Sequence, residues 1–171
     1  MHKIACSIIL LIITVQLWLC CDSNIVMNYT ESMPVGIWYK TDKPCCNIDD
    51  VVLINTKLLS ERRGREFNQG IEYGYFDANT SLMKRIKGLA GDVADLTSEG
   101  IYINGKLIPD TKPRTKDSLG RIITSSVLHN RTLQQNEIIV AGENIKSFDS
   151  RYFGIIHRDE ILTAVVPLIT F

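Results

Sequence analysis

From residue 22 onward the chain is cut into short runs of apolar and β-branched residues separated by turn formers, and this spacing constrains the fold more than any other feature. "GIWYK", "DVVLIN", "LMKRIK", "GIYINGKLI", "GRIITSSV", "NEIIVAG" and "ILTAVVPLI" each read as a short strand. Asn104-Gly105, between "IYI" and "KLI", predicts a two-residue hairpin, because both positions tolerate positive φ. One stretch differs: "TKLLSERRGREFNQG" scatters charge around Leu58 and Leu59 and ends at Gly70, which predicts a short exposed helix within 57–70. Many short strands with many turns favour a mainly β domain built on a folded-over antiparallel sheet, and disfavour a parallel α/β sheet.

The chain of 171 residues carries no net formal charge and is 45% hydrophobic, which fits one globular domain with an appendage and leaves no basic footprint for nucleic acid. The appendage is residues 1–21. Lys3 is followed by eighteen residues without a charge, 4–21, and then by Asp22. As a helix that run is about 27 Å long, close to the roughly 30 Å hydrocarbon core of a bilayer. Few small residues follow it to mark a cleavage site, so the expectation is a retained N-terminal membrane anchor with residues 22–171 forming an extracytoplasmic domain. Cys6, Cys20, Cys21, Cys45 and Cys46 show no Cys-x-x-Cys pair and no zinc spacing, so neither a metal site nor a cofactor is expected, and their pairing stays open. The sequons at Asn28, Asn79 and Asn130 matter only in a eukaryotic secretory pathway.

The stretch "ESMPVGIWYK" places Ser32 before Met-Pro, where it is either a turn residue or a nucleophile. A serine hydroxyl needs a base to take its proton. His2 precedes the anchor, and His129 and His157 sit in polar, loop-like contexts that read as surface. The other solution is a lysine held neutral by burial, since a free lysine with a pKa of about 10.4 is neutral in roughly one molecule in 2,500 at pH 7. Lys84 meets that requirement: in a strand it shares a face with Leu82 and Ile86, while Met83, Arg85 and Lys87 occupy the other. Ser81 and Lys84 also spell Ser-x-x-Lys, but that motif needs a helix to put both residues on one face, and its usual companion motifs are missing.

Three ordered segments carry a resemblance. "SMPVGIWY" is similar to the nucleophile segment of the conjugative-transfer signal peptidases of the TraF type, relatives of bacterial leader peptidase. "MKRIKGLAGD" resembles the segment that supplies the general base in that family, and "SFDSRYFGII" its third signature. The likeness extends over residues 24–171, and the short Ser-Met-Pro form is the TraF one. It implies Ser32 as nucleophile and Lys84 as general base, with the Ser32 backbone N–H and the Thr30 hydroxyl at the oxyanion. It also implies that Ser147 orients the lysine amine, and that Asp149, Arg151 and Arg85 form a supporting ion-pair group.

The resemblance further implies a bacterial inner-membrane enzyme working in the periplasm. Its partners would be the bilayer and a precursor protein, a propilin for conjugative transfer, which is cleaved and in some systems cyclised. Ten residues separate Cys21 from Ser32, a tether of at most about 35 Å, so the serine would work close to the membrane face. Two other readings compete: a general leader peptidase, and a catalytically idle anchored β domain in a pilus or secretion assembly.

Overall fold

In the computed structural model the described residues are 4, 7–9, 14, 23–42 and 46–171. The predicted anchor at 1–21 falls mostly outside them, as do His2, Cys6, Cys20, Cys21 and Cys45. Among the described residues no helix is long and apolar enough to cross a membrane. The β-branched runs form β1 (Ile25–Asn28), β2 (Gly36–Thr41), β3 (Val51–Asn55), β4 (Ser81–Gly88), β5 (Val93–Leu96) and β6 (Ile101–Ile103). They continue with β7 (Lys106–Leu107), β8 (Arg131–Thr132), β9 (Glu137–Ala141), β10 (Ile156–His157) and β11 (Ile161–Thr170).

A curled seven-stranded sheet runs in the order β1-β2-β11-β3-β4-β9-β10, and a smaller one in the order β7-β6-β5-β8. The strand pairs are antiparallel throughout, as the sequence predicts. The predicted hairpin joins β6 to β7, with φ of 51° at Asn104 and 75° at Gly105, the left-handed pair that such a turn needs.

β4 is the hinge of this arrangement. Its first half pairs with β3, from Asn55↔Ser81 to Val51↔Arg85, and its second half with β9, from Arg85↔Ala141 to Gly88↔Ile139. Residues 81–84 therefore have a ladder partner on the β3 side only. The sheet curls about this strand and gives it a core on each face. Leu82 and Ile86 pack with Val52, Ile54, Phe67 and Phe153, whereas Met83 packs with Met33, Trp38, Leu53 and Val165. Burying each of these large side chains contributes about 1.5–3 kcal/mol.

Two expectations are corrected. The predicted helix is two: α1 (Thr56–Arg63) and α2 (Arg65–Glu72), broken at Gly64, where φ is 52°. Asn55 caps α1 by accepting from the N–H groups of Lys57 and Leu58. Gly70 does not end the helix; it lies inside α2, where a Cβ would press on the rings of Phe76 and Phe148. Nor is the pair merely an exposed face, because Leu59 and Phe67 are fully buried.

The run "GRIITSSV" is not a strand beyond a bridge between Lys116 and Ile122. Its backbone finds another partner: the Gln69 side chain donates to the Thr124 carbonyl and accepts the Thr124 N–H, both at 2.9 Å. Conversely, β1 is a strand that the sequence reading leaves unassigned. A one-turn helix, α3 (Ser150–Phe153), completes the elements around the site.

Because Gln69 Nε2 also donates to the Glu66 carbonyl at 2.9 Å, Gln69→Ala loses three hydrogen bonds and should destabilise the domain by about 3 kcal/mol, at about 1 kcal/mol each. Urea unfolding measures the loss, and hydrogen exchange should show it concentrated in the 120–127 segment.

Candidate active site

Ser32 follows β1 on a tight segment whose course is fixed by its neighbours. Met33 is buried to 1% exposure and anchors the segment in the core beneath, while Pro34 restricts the chain beyond it. From the side, the backbone N–H of Glu143 donates to the Ser32 carbonyl at 2.7 Å. Glu143 is itself held by Arg85, whose Nε lies 2.7 Å from the Glu143 carboxylate and whose Nη1 donates to the Asp49 carbonyl at 2.7 Å.

Lys84 lies on β4 opposite Val52 and is 2% exposed. Its Nζ is 3.1 Å from Ser32 Oγ. Burial is the largest influence on the amine and pushes its pKa from 10.5 down to about 8, with Asp149 pulling it up and Arg151 pushing it down by less. At that value roughly one amine in ten is neutral at pH 7. A hydroxyl within hydrogen-bonding reach of such an amine forms a pair able to pass a proton.

Behind Lys84 sits an ion pair excluded from water. Asp149 and Arg151 are both 0% exposed, joined at 2.8 Å from Nε to Oδ1 and 2.7 Å from Nη2 to Oδ2. Asp149 Oδ2 also accepts the Gly142 N–H at 2.9 Å, and Arg151 clasps the carbonyls of Ser147 and Ile145, both at 2.9 Å. This bidentate pair, with its remaining donors satisfied by backbone, fixes the 142–149 segment against the serine and the lysine. Gly142 has to be a glycine here. A Cβ would lie 2.6 Å from the Ser32 carbonyl oxygen and overlap Ser147 Oγ.

The structure brings Ser32, Lys84, Thr30 and Ser147 into one groove of about 910 Å³, between the β1 end and the open first half of β4, with Tyr75 and Phe76 also on its wall. Three expectations change. Arg85 is not part of the Asp149–Arg151 group; strand alternation turns it to the opposite face of β4, where it pairs with Glu143. Ser147 does not bond the lysine amine: its Oγ is buried and has no hydrogen-bond partner among the described residues.

Thr30 Oγ1 is 3.2 Å from Ser32 Oγ but also 2.9 Å from Asn28 Oδ1, an oxygen that can only accept. The Thr30 proton is therefore committed, and toward Ser32 it presents a lone pair. His129 is at the surface beside Asp95, and His157 opens the single turn at 158–160; neither lines the groove. Ser81 lies three residues from Lys84 on the same strand, hence on its other face, which removes the Ser-x-x-Lys reading.

Sequence reasoning missed Asn28, Gly142 and Glu143. The first was visible only as the head of a sequon, and its side chain is buried. The other two reach the site through their backbone N–H groups, and one glycine and one glutamate in a loop are too common in a sequence to mark it.

A family model described as "Signal peptidase, peptidase S26" matches residues 3–169. "Plasmid transfer protein TraF" of Escherichia coli is 31% identical over 153 residues, covering 85% of this chain and 82% of that protein. "Conjugal transfer protein TraF" of Agrobacterium tumefaciens (strain 15955) is 24% identical over 151 residues, with the same coverage of 85% and 82%. "Signal peptidase I V" of Bacillus subtilis (strain 168) is 32% identical over 92 residues, 49% of this chain and 55% of the relative.

The folded chain releases the Lys84 proton near pH 8 and the unfolded chain near 10.5, so between those values the unfolded state binds more protons and stability rises with pH. The whole window is worth roughly 3 kcal/mol, absent below about 8 and complete above about 10.5. Lys84→Met should thus be more stable than the parent at pH 7, with the difference closing toward pH 10.5. Denaturant melts at both ends of the range measure it, and a less stable Lys84→Met at pH 7 would contradict the buried-amine account.

Proposed function

The chain belongs to the signal peptidase family, peptidase S26, and from that premise we propose that it is a membrane-anchored serine endopeptidase in which Ser32 and Lys84 form the catalytic dyad. The observation that carries this reading is the 3.1 Å approach of a buried, pKa-lowered amine to the Ser32 hydroxyl. The neutral Lys84 amine takes the Ser32 proton as Oγ bonds to the scissile carbonyl carbon. The backbone N–H of Ser32 donates to the developing oxyanion. As the C–N bond breaks, the proton passes from Lys84 to the leaving amine, which departs and leaves an ester on Ser32. Water then adds to the ester with Lys84 again as base, and Ser32 is released. Where an amine of the substrate replaces water, the product is a new peptide bond.

The substrate of this reading is a precursor protein bound as an extended segment along the groove, beside the first half of β4, which offers backbone groups on its unpaired side. Likeness to two TraF proteins over most of their length supports a propilin of a conjugative transfer system as that precursor. The enzyme then works at the outer face of the bacterial inner membrane, tethered by residues 1–21. The partial match to a signal peptidase I supports a second reading, a general leader peptidase with many presequence substrates.

Co-expression of the membrane-embedded chain with a propilin of a conjugative transfer system tests the proposal by product mass. The parent should shorten the precursor, and Ser32→Ala and Lys84→Ala should each leave it intact, a loss of at least about 1,000-fold. A further loss of one water would identify the amine as acceptor. The kcat/KM of the parent should climb with pH through a single ionisation near 8. Processing that survives both substitutions would put an idle assembly domain in first place instead, and processing of many unrelated presequences would favour the general leader peptidase.

A further inference from the structure

Asn28 ends β1 with its side chain turned inward, at 7% exposure. Its Nδ2 donates to three carbonyls of the nucleophile segment, those of Thr30 and Met33 at 2.9 Å and of Pro34 at 3.0 Å. Its Oδ1 accepts the Thr30 N–H at 3.2 Å and the Thr30 hydroxyl at 2.9 Å. The amide has one tenable orientation. Turned over, it would set its oxygen against three carbonyls and its NH₂ against an N–H.

We propose, on the peptidase reading above, that Asn28 is the positioning residue of the nucleophile: one carboxamide fixes the course of residues 30–34 and, through Thr30, the direction of the Ser32 hydroxyl.

Oδ1 has no proton to give, so the Thr30 hydroxyl proton is spent on it, and Thr30 Oγ1 faces Ser32 Oγ at 3.2 Å as an acceptor. The four atoms Lys84 Nζ, Ser32 Oγ, Thr30 Oγ1 and Asn28 Oδ1 then admit one proton order while the amine is charged. Nζ donates to Ser32, Ser32 to Thr30, and Thr30 to Asn28. When the amine is neutral, the Ser32 proton swings to Nζ with no heavy atom displaced. Thr30 holds the nucleophile oxygen while the amine is charged; once the amine is neutral, Asn28 keeps the Thr30 proton from the Ser32 lone pairs, so Lys84 Nζ takes the Ser32 proton and the lone pairs stay free for attack. The same carboxamide holds the carbonyls of Thr30, Met33 and Pro34, on both sides of Ser32, and so keeps Ser32 Oγ beside Lys84.

Processing kinetics of the membrane-embedded full chain on the precursor test this with Asn28→Ala, Thr30→Val and the double variant. Asn28→Ala should lower the plateau kcat by roughly 30-fold, within the roughly 100-fold that a 1 Å misplacement costs. KM should stay within about threefold of the parent, and the acid limb of the pH profile should stay where the parent has it. Thr30→Val, at an exposed position that carries no packing, should cost about fivefold. The double variant should be no slower than Asn28→Ala, because Thr30 acts through Asn28.

An Asn28→Ala enzyme retaining more than about a third of parental kcat, a Thr30→Val enzyme at the parental rate, or multiplicative effects in the double variant would overturn the inference. If Asn28→Ala does not fold, Asn28→Ser retains one donor and one acceptor, and its kcat should fall between alanine and parent in the fraction that does fold; a parental kcat there overturns the inference equally. A parent that fails to cut, or cuts equally well as Ser32→Ala, overturns the peptidase reading itself. Failure in the Asn28 series alone leaves that reading standing.

Discussion

Everything around the site follows from keeping one amine out of water. Lys84 is buried with Leu82 and Ile86 on its own face of β4 and has no carboxylate within ion-pairing distance among the described residues. The nearest buried charges come as a matched set. Asp149 raises the amine's pKa and Arg151, locked to it, lowers it by less, so the two oppose each other at Nζ. Desolvation is left as the governing influence. A lone carboxylate in place of that pair would hold the amine charged; a lone guanidinium would leave an uncompensated ion in the core.

Holding the hydroxyl to the amine is a separate problem with a separate solution. β4 is fixed by two ladders and two cores, whereas the serine segment has no regular structure and is held by single groups on every side: Met33 from below, the Glu143 N–H from the flank and the Asn28 carboxamide from behind. Arg85, on the face of β4 away from the amine, steadies Glu143 and so links the strand to the serine segment. One strand therefore presents the Lys84 amine on one face and braces the Ser32 segment from the other.

The features legible in the sequence are those set by side-chain periodicity and turn chemistry. Alternation along "LMKRIK" sets Lys84 on one face with Leu82 and Ile86, and Asn-Gly specifies the β6–β7 turn. The misses have physical causes. The helix at 57–70 read as one exposed element because a single glycine inside a charged run looks tolerable, while Gly64 at positive φ breaks it and turns Phe67 inward. "GRIITSSV" has the composition of a strand, but the Gln69 amide takes the place of a ladder at Thr124, a substitution that propensity cannot register. The resemblance groups Arg85 with Asp149, whereas strict alternation with Lys84 turns it to the other face, where it pairs with Glu143. Asn28 shows in the sequence only as the head of a sequon, because nearly all its partners are backbone groups of the segment it holds.

The energetics bear on which reading the amine suits. Burial of Lys84 costs roughly 3 kcal/mol at neutral pH, a large share of the 5–15 kcal/mol by which domains are usually stable. The apolar clusters on the two faces of β4 are large enough to offset it, but they would stabilise the fold more with an apolar side chain at that position. A domain whose task is only to dock in an assembly gains nothing from that cost. A hydrolase gains a base about 250 times more often neutral at pH 7 than a free lysine, beside a hydroxyl already within reach. The same logic applies to Gly142, which gives up a side chain so that the Ser32 carbonyl and Ser147 can close on the segment held by the ion pair. Both positions trade stability for geometry at a single point, and that point is the Ser32 hydroxyl.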